Sequence, residues 1–134
     1  MSREIKVRVY DKEKNMWTNF KIFDNIMYFM DKNTGVWFHE KYKAKGRFSL
    51  MQYTGIKDKN GVEIYEGDIL KYKFLYDRRF KHVSLVKFME IEASFGIKDI
   101  YGNEIPLYRI TANNYFEVIG NIYENKNLLE EKNG

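Results

Sequence analysis

The chain has 134 residues, a net charge of +4 and no cysteine, which excludes disulfide bonds, thiolate nucleophiles, iron–sulfur clusters and cysteine zinc sites. His39 and His82 are the only histidines, so a metal site would need carboxylates or carbonyls as further ligands. No apolar run approaches the roughly 20 residues that span a bilayer. The N-terminus alternates apolar and charged residues, unlike a signal peptide. We expect a soluble, cytoplasmic protein without a metal or cofactor.

The composition favours strands over helices. Aromatic residues make up 17% of the chain, whereas alanine occurs only three times. Tyr, Phe, Ile and Val suit a pleated, half-buried surface, and few good helix formers accompany them. We therefore predict a mainly β protein in which the aromatic residues fill the core and line half-exposed strand faces.

The first 48 residues are predicted to form an N-terminal β-meander. Residues 5–10 alternate apolar and polar side chains, which is typical of a strand with one buried face. Polar clusters then separate further short apolar runs, and Gly35 can adopt the positive φ that a turn requires. Strands are expected at 5–10, 17–23, 26–30 and 36–38, with turns at 11–15 and 31–35.

A basic stretch follows, in which Lys41, Lys43, Lys45 and Arg47 alternate with no acid among them. Lysine on an exposed edge discourages strand-to-strand aggregation. We interpret this stretch as a loop or exposed edge, and as the seam between the N-terminal region and residues 49–134.

The second region has strong turn signals. Asp58-Lys59-Asn60-Gly61 is a tight-turn sequence, because Asp bonds its own backbone and Asn-Gly supplies positive φ values. Gly120 lies within an apolar run, which indicates a bulge or bend, and Pro106 is expected at a strand end or edge. The structural turn positions are Gly55, Asn60, Gly61, Gly67, Asp68 and Gly120.

These turns separate six further expected strands and one polar loop. Asn127 before two leucines resembles a helix-capping sequence, which predicts one or two helical turns at the C-terminus. A further turn is expected at 101–103. Strands are expected at 62–65, 69–75, 83–91, 95–97, 108–111 and 116–123, with a loop at 76–82.

No catalytic motif is present: the chain has no nucleotide-binding glycine loop, no H-E-x-x-H and no G-x-S-x-G. Asp31 and Asp58 open segments with a faint likeness to calcium loops, but the twelfth position lacks the required Glu, and turn chemistry explains both. Glu63, Glu66 and Asp68 could act as an acid–base pair only if burial separated their pKa values. Turn capping and solvation explain them better.

Positive charge is concentrated between residues 71 and 87, where six basic residues accompany one acid. Cations alternate there with aromatic residues, an arrangement that can bind phosphates and stack on bases. The alternative is that the cations only solvate a loop, and the low net charge favours that alternative. The candidate contact residues for nucleic acid or a partner are Lys71, Lys73, Tyr76, Arg78, Arg79, Phe80 and Lys81.

Two segments resemble the YopX family of phage and prophage proteins: residues 50–70, LMQYTGIKDKNGVEIYEGDIL, and residues 117–125, EVIGNIYEN. The opening Arg3–Arg8 with Tyr10-Asp11 is similar as well. Lys126 departs from the proline usual in the family. The resemblance implies a mobile-element origin and a small, mostly β protein with an SH3-like barrel in its second half. It implies no activity and supplies no catalytic residues.

Residues and resemblance together predict a non-enzymatic interaction module that binds a protein partner or a second copy of itself. A nucleic-acid-binding accessory protein with sequence-tolerant phosphate contacts is the alternative, and an enzyme comes third. A partner-binding module should expose an apolar or aromatic patch, whereas a nucleic-acid binder should have one continuous basic face.

Overall fold

The chain folds into two compact units, Met1–Gln52 and Tyr53–Gly134. The computed structural model describes residues 6–41, 46–74, 77–89, 93–99, 104–106 and 116–130, and describes only the backbone of 73–74, 77–82, 99 and 105–106. Secondary structure within these ranges is almost entirely antiparallel β. The prediction of a mainly β protein is confirmed.

The first unit contains two small groups of strands. β1 (Val7–Asp11) lies between β2 (Met16–Thr18) and the first half of β6 (Phe48–Lys57), whereas β3 (Phe20–Phe23), β4 (Ile26–Met30) and β5 (Trp37–His39) form a three-stranded meander. The single return strand expected at 17–23 is wrong. That segment is divided at Asn19, because β2 pairs with β1 and β3 pairs with β4.

The core of the first unit is built on phenylalanine. Phe20, Phe29 and Phe38 are direct cross-strand neighbours on β3, β4 and β5. Phe29 stacks on Phe48 with ring centroids 5.1 Å apart, and Val9 completes the buried cluster. One face of the meander is therefore committed to the core.

The second unit contains a five-stranded sheet in the order β11-β10-β9-β8-β12. β8 to β11 form a meander, and β12 returns to pair with β8. The second half of β6 pairs with β7 in the same unit. The strands are β7 (Glu63–Tyr65), β8 (Asp68–Phe74), β9 (Asp77–Met89), β10 (Ser94–Asp99), β11 (Glu104–Pro106) and β12 (Phe116–Asn121).

The loop expected at 76–82 is wrong where the structure describes it, because β9 begins at Asp77. β8 and β9 form a long hairpin in which Tyr72 pairs with His82 and Phe74 pairs with Asp77. Backbone hydrogen bonds between the two arms of a hairpin form with polar and charged residues as well as with apolar ones. The charged residues at 77–82 therefore did not interrupt β9. His82 accordingly lies in a strand.

The other strand predictions of this unit hold where they can be compared. β7, β8, β10 and β12 lie at the predicted places, and Pro106 ends β11, an edge strand. The core consists of Ile64, Leu70, Tyr72, Val86, Ile97 and Phe116. The turn at 101–103 and the strand at 108–111 lie outside the described residues.

The C-terminal helical turn is present as a 3₁₀ helix, Lys126–Leu129, that contacts β9. The capping role expected for Asn127 is wrong: Asn127 lies inside the turn, Asn125 precedes it, and no side chain caps it. Asn125 instead accepts a hydrogen bond from the Asn121 N–H at 3.2 Å.

Candidate interaction surface

A buried charged network lies in the first unit and is centred on Arg47. Its Nε donates to Asp11 Oδ1 at 3.0 Å, and its Nη2 donates to Asp11 Oδ2 at 2.9 Å and to Asp31 Oδ2 at 2.7 Å. The guanidinium also lies over the rings of Phe38 and Phe48. Arg47 lies in the loop just before β6, as one of the two predicted placements has it, but it is only 8% exposed, so its predicted exposure to solvent is wrong.

Both carboxylates of this network also close turns. Asp11 Oδ1 accepts the backbone N–H groups of Glu13 and Lys14, and Asp31 Oδ1 accepts those of Asn33 and Thr34. The interpretation of Asp31 as a turn residue is therefore confirmed. Each aspartate bonds its own turn and a distant arginine, which explains how two charged side chains tolerate burial.

Hydrogen bonding sets the protonation of the network. Burial raises the pKa of Asp11, but the bonds from Arg47 and from the Lys14 N–H outweigh it, and the pKa lies below its ordinary value. The bond from Arg47 lowers the pKa of Asp31 against a smaller opposing effect of burial. Both carboxylates are ionised at neutral pH and occupied by donors, so they suit stabilisation of the fold better than proton transfer.

The most distinctive surface of the first unit is the face of the β3–β5 meander that lies opposite the phenylalanine core. Strand alternation places every second residue of β3, β4 and β5 there. We name it the aromatic face; its residues are Lys21, Phe23, Ile26, Tyr28, Met30, Trp37 and His39.

Contacts across the aromatic face order its side chains. Lys21 Nζ lies 4.3 Å from the centroid of the Trp37 ring and 5.7 Å from that of Tyr28. Tyr28 makes an edge contact with His39 at 5.5 Å, and His39 Nδ1 accepts the Lys41 N–H at 2.9 Å. The rings are half-buried in this row, and a cation is held over two of them.

Large apolar side chains are exposed at the end of the same meander. Phe23 is 68% exposed and Ile22 is 64% exposed, the highest values among the large apolar residues described. They precede a two-residue hairpin turn in which Asp24 and Asn25 both have positive φ, as a type I′ turn requires. The turn thus holds two apolar side chains at an exposed tip.

The predicted basic segment is brought together in part. Lys71 and Lys73 lie on β8, and Arg78, Arg79, Phe80 and Lys81 lie on β9, so the two groups occupy adjacent arms of one hairpin. Tyr76 lies outside the described residues. Of this set, only Lys71 has a described side chain, and it is half-buried.

The turn residues of the second unit lie largely as predicted. Gly61 has φ +80° and Gly67 has φ +87°, and the register of β12 shifts next to Gly120. Asp58 accepts the N–H groups of Asn60 and Val62, and its second oxygen accepts the Val118 N–H of β12 at 2.9 Å. The turn explanation of Asp58 is thus confirmed.

Gly55 differs from its predicted role in a turn. It lies inside β6 with φ +88°, in the stretch where the pairing with β7 is irregular. A shallow depression of about 320 Å³ is lined by Gly55 together with Tyr53, Ile56 and Lys57. Its lining offers one cation and no acid–base pair.

The acidic residues of the 63–68 segment serve the backbone where their contacts are described. Asp68 is buried and accepts the Tyr65 N–H at 2.8 Å, while Glu63 and Glu66 are half-buried. Within the described ranges, no group of three or more His, Asp or Glu side chains is arranged to hold a metal ion. No helix in those ranges is long and apolar enough to cross a membrane.

Sequence reasoning missed both the charged network and the aromatic face. The network joins residues 16 and 36 positions apart, and nothing local signals such pairings. The aromatic face does have a local signal, because its cationic, aromatic and apolar residues occupy every second position of 21–23, 26–30 and 37–39. This period of two could have been recognised once the strands were assigned.

The fold and its most distinctive surface define a small, mainly antiparallel β protein with an aromatic sheet face. Comparison with known proteins gives the family. A model of the family described as YopX protein matches residues 6–130, and the chain therefore belongs to the YopX family, as the two quoted segments indicated.

Two solved structures are similar to this chain. Protein EF1440 from Enterococcus faecalis is 24% identical, covers 96% of this chain and 100% of its own, and superposes with a TM-score of 0.62. Protein yopX from Bacillus subtilis is 21% identical, covers 92% of this chain and 97% of its own, and has a TM-score of 0.58. No curated protein matched. These two likenesses support the fold.

Proposed function

We propose that this YopX-family chain is a non-enzymatic interaction module that binds a protein partner through the aromatic face. The observation that carries the proposal is the exposure of Phe23, at 68%, beside a row of half-buried rings. Tyr, Trp and Phe are enriched at protein interfaces, where a few such side chains supply most of the affinity.

The chemistry of the face defines the partner it fits. Phe23 offers an apolar anchor, and Lys21 is exposed beside it with its ammonium over Trp37. A complementary surface has an apolar pocket for the ring and a carboxylate at its rim for the cation. The tyrosine hydroxyl and the histidine ring can supply further hydrogen bonds at the border of the contact.

The origin of the protein, its place of action and the fold of its second unit are part of the same proposal. The family resemblance supports a phage or prophage origin and a cytoplasmic place of action in the host cell. The second unit is proposed to be SH3-like: β8 to β11 form a meander and β12 returns to β8, a connectivity that suits a small barrel closed on its first strand.

Affinity capture from induced cells that carry the prophage tests this function. The bait is the full chain, used with and without nuclease, beside Phe23→Ser and the control Phe88→Ser. Phe88 is another exposed phenylalanine, 43% exposed, in the second unit. Thermal melts first establish that both variants fold.

The proposal expects one protein to be retained by the wild type and by Phe88→Ser regardless of nuclease. Phe23→Ser should weaken its binding by about tenfold or more, as truncation of an anchor residue does. Equal retention by both variants, or no retained protein at all, would reject the aromatic face as the binding surface.

A second candidate function, sequence-tolerant binding of nucleic acid, is favoured by the β8–β9 hairpin. It brings Lys71 and Lys73 beside the strand that carries Arg78, Arg79 and Lys81. Labelled single- and double-stranded oligonucleotides, titrated at low salt, test it. Neutralising Arg78 and Arg79 should weaken all sequences equally and reduce the salt slope by about two phosphate contacts; no binding in the micromolar range would reject it.

A further inference from the structure

The free edge of β3 has a defined set of unpaired backbone groups. The Met30 N–H donates to the Asn19 carbonyl at 3.1 Å, so positions 19, 21 and 23 form the hydrogen-bonded pairs with β4 by alternation. The N–H and C=O groups of Phe20 and Ile22 therefore point away from β4. Within the described part of the chain, no other strand pairs with this edge.

The usual protection of such an edge is weak here. Edge strands are commonly guarded by a charged side chain, and Lys21 is the only charged residue of β3. Its ammonium is over Trp37 on the aromatic face, away from the edge itself. Ile22, which adjoins the outward backbone groups, is 64% exposed.

We propose that β3 pairs antiparallel with β3 of a second copy of this chain, about a two-fold axis at Ile22. The proposal deepens the proposed function, because it enlarges the aromatic face on which that function rests. An isologous contact of this kind closes as a dimer and leaves no further edge of the same type.

The registers open to β3 support a second copy of this chain as the partner at its free edge. Outward backbone groups must meet outward groups, which leaves three pairings: Phe20 with Phe20, Phe20 with Ile22, or Ile22 with Ile22. The second pairing puts Lys21 opposite Lys21, which like charges disfavour. The first is centred at the start of β3 and would use Asn19, which lies outside the strand, whereas the third uses only residues 21–23 of β3.

The remaining register is complementary. With Ile22 opposite Ile22, Lys21 of each copy lies opposite Phe23 of the other, so the aliphatic stem of each lysine adjoins an exposed ring and no like charges face each other. The two Ile22 residues exchange a pair of backbone hydrogen bonds. The three-stranded sheets then join into one six-stranded sheet whose aromatic faces are continuous.

Cysteine cross-linking reads this register directly, because the natural chain has no cysteine. Ile22→Cys places two thiols opposite each other, roughly 5.5 Å apart at Cα, a separation that a disulfide spans. Phe23→Cys is the matched control: its site is more exposed, yet it faces Lys21 of the second copy. Mixing Phe23→Cys with Lys21→Cys should restore cross-linking.

The expected result is that disulfide dimer forms from Ile22→Cys at least about tenfold faster than from Phe23→Cys or from Val36→Cys, a second exposed position at 50% exposure. Equal rates at these positions would overturn the proposal, since they would report random collision. Failure of the mixed pair to cross-link would overturn the register.

Sedimentation of the full chain without cysteine gives an independent measurement. The wild type should show a concentration-dependent monomer–dimer equilibrium. Ile22→Pro should abolish it, because proline removes an outward N–H that β4 does not use, while Ile22→Thr should retain part of it. A wild type that stays monomeric to about millimolar concentration would overturn the proposal.

These experiments separate the two proposals, since they use no partner. A dimer without partner capture supports the β3 pairing and rejects the proposed function. Capture that Phe23→Ser abolishes, with a monomer throughout, supports the proposed function and rejects the pairing.

Discussion

The two units of this chain bury different kinds of chemistry. In the second, the buried cluster is apolar apart from Tyr72, and its buried acids Asp58 and Asp68 bond backbone N–H groups of nearby turns. In the first, a small phenylalanine cluster adjoins an arginine that holds two buried aspartates. Among the residues that the structure describes, the buried ion pairs therefore lie in the first unit.

Apolar burial and buried charge respond differently to the substitution of a side chain. A buried apolar side chain loses stabilisation in proportion to the area and cavity that a truncation creates. A buried charge pair reacts more abruptly, because removal of one partner leaves the other without compensation. Trp17 and Trp37 are the only tryptophans and both lie in the first unit, so tryptophan fluorescence observes that unit selectively.

Replacement of Arg47 should have the largest effect. Arg47→Ala leaves the Asp11 and Asp31 carboxylates buried without their shared donor, which should cost about 3–5 kcal/mol of unfolding free energy. Denaturant titration followed by tryptophan fluorescence measures the loss. Arg47→Lys keeps the charge but loses the two-pronged geometry, so it should fall between Arg47→Ala and the wild type. A loss below about 1 kcal/mol for Arg47→Ala would contradict the assigned role.

As the pH falls, the first unit should unfold at a higher pH than the second unit. The folded pKa values of Asp11 and Asp31 lie below the ordinary value of 3.8, so their contribution is complete above that value and is lost as the pH falls through the folded pKa. Tryptophan fluorescence should therefore change at a higher pH than amide exchange in β8 and β12.

Asp31→Asn provides the control for this acid response. It removes one of the two titrating groups, so the pH dependence of the tryptophan signal should become shallower, while neutral-pH stability falls. Parallel acid transitions of the two units in the wild type would show that the charged network does not set the order of unfolding.

These outcomes also bear on how much of the molecule its sequence predicts. Alternation located most strands, and Asn60-Gly61 located a turn, because both signals arise between near neighbours. Arg47 was misinterpreted for the opposite reason: in the sequence it is one more cation in an alternating basic stretch, and only the fold brings Asp11 and Asp31 to it. The strand at 77–82 was missed because its charges masked the alternation.

The aromatic face is an intermediate case. Its residues carry a visible period, but that period alone does not say which of two apolar faces is covered. Phe20, Phe29 and Phe38 alternate as regularly as Tyr28 and Trp37 do, and only the packing of Phe48 against Phe29 identifies the buried side.

Valine substitutions at two turn glycines should cost the second unit a smaller, local amount. Gly61 and Gly67 have φ values of +80° and +87°, which a β-branched residue adopts only with strain, so each substitution should cost about 1–3 kcal/mol. A Cβ at Gly61 would meet nothing within 4 Å, and its cost is therefore purely conformational. Gly61→Asn should lower the melting temperature less than Gly61→Val, because Asn tolerates this φ. Unchanged melting temperatures for both valine variants would reject the proposed backbone strain.

The smallest effect is expected at an exposed ion pair of the second unit, Lys87 with Glu104. Nζ and Oε1 are 2.9 Å apart across the intervening strand β10, but both side chains are 37% exposed. The hydrogen bond from Lys87 lowers the pKa of Glu104; at this exposure, solvent and salt screen the pair. A double-mutant cycle with Lys87→Ala and Glu104→Ala should give a coupling below about 1 kcal/mol.

Salt separates this exposed pair from the buried network. At about 1 M salt the screening length falls to roughly 3 Å, so the Lys87–Glu104 coupling should disappear. The loss caused by Arg47→Ala should persist, because the side chains of Asp11 and Asp31 are only 0% and 7% exposed. If the two effects fell together with salt, the Arg47 network would behave as a surface pair, and the contrast between a charge-dependent first unit and an apolar second unit would be wrong.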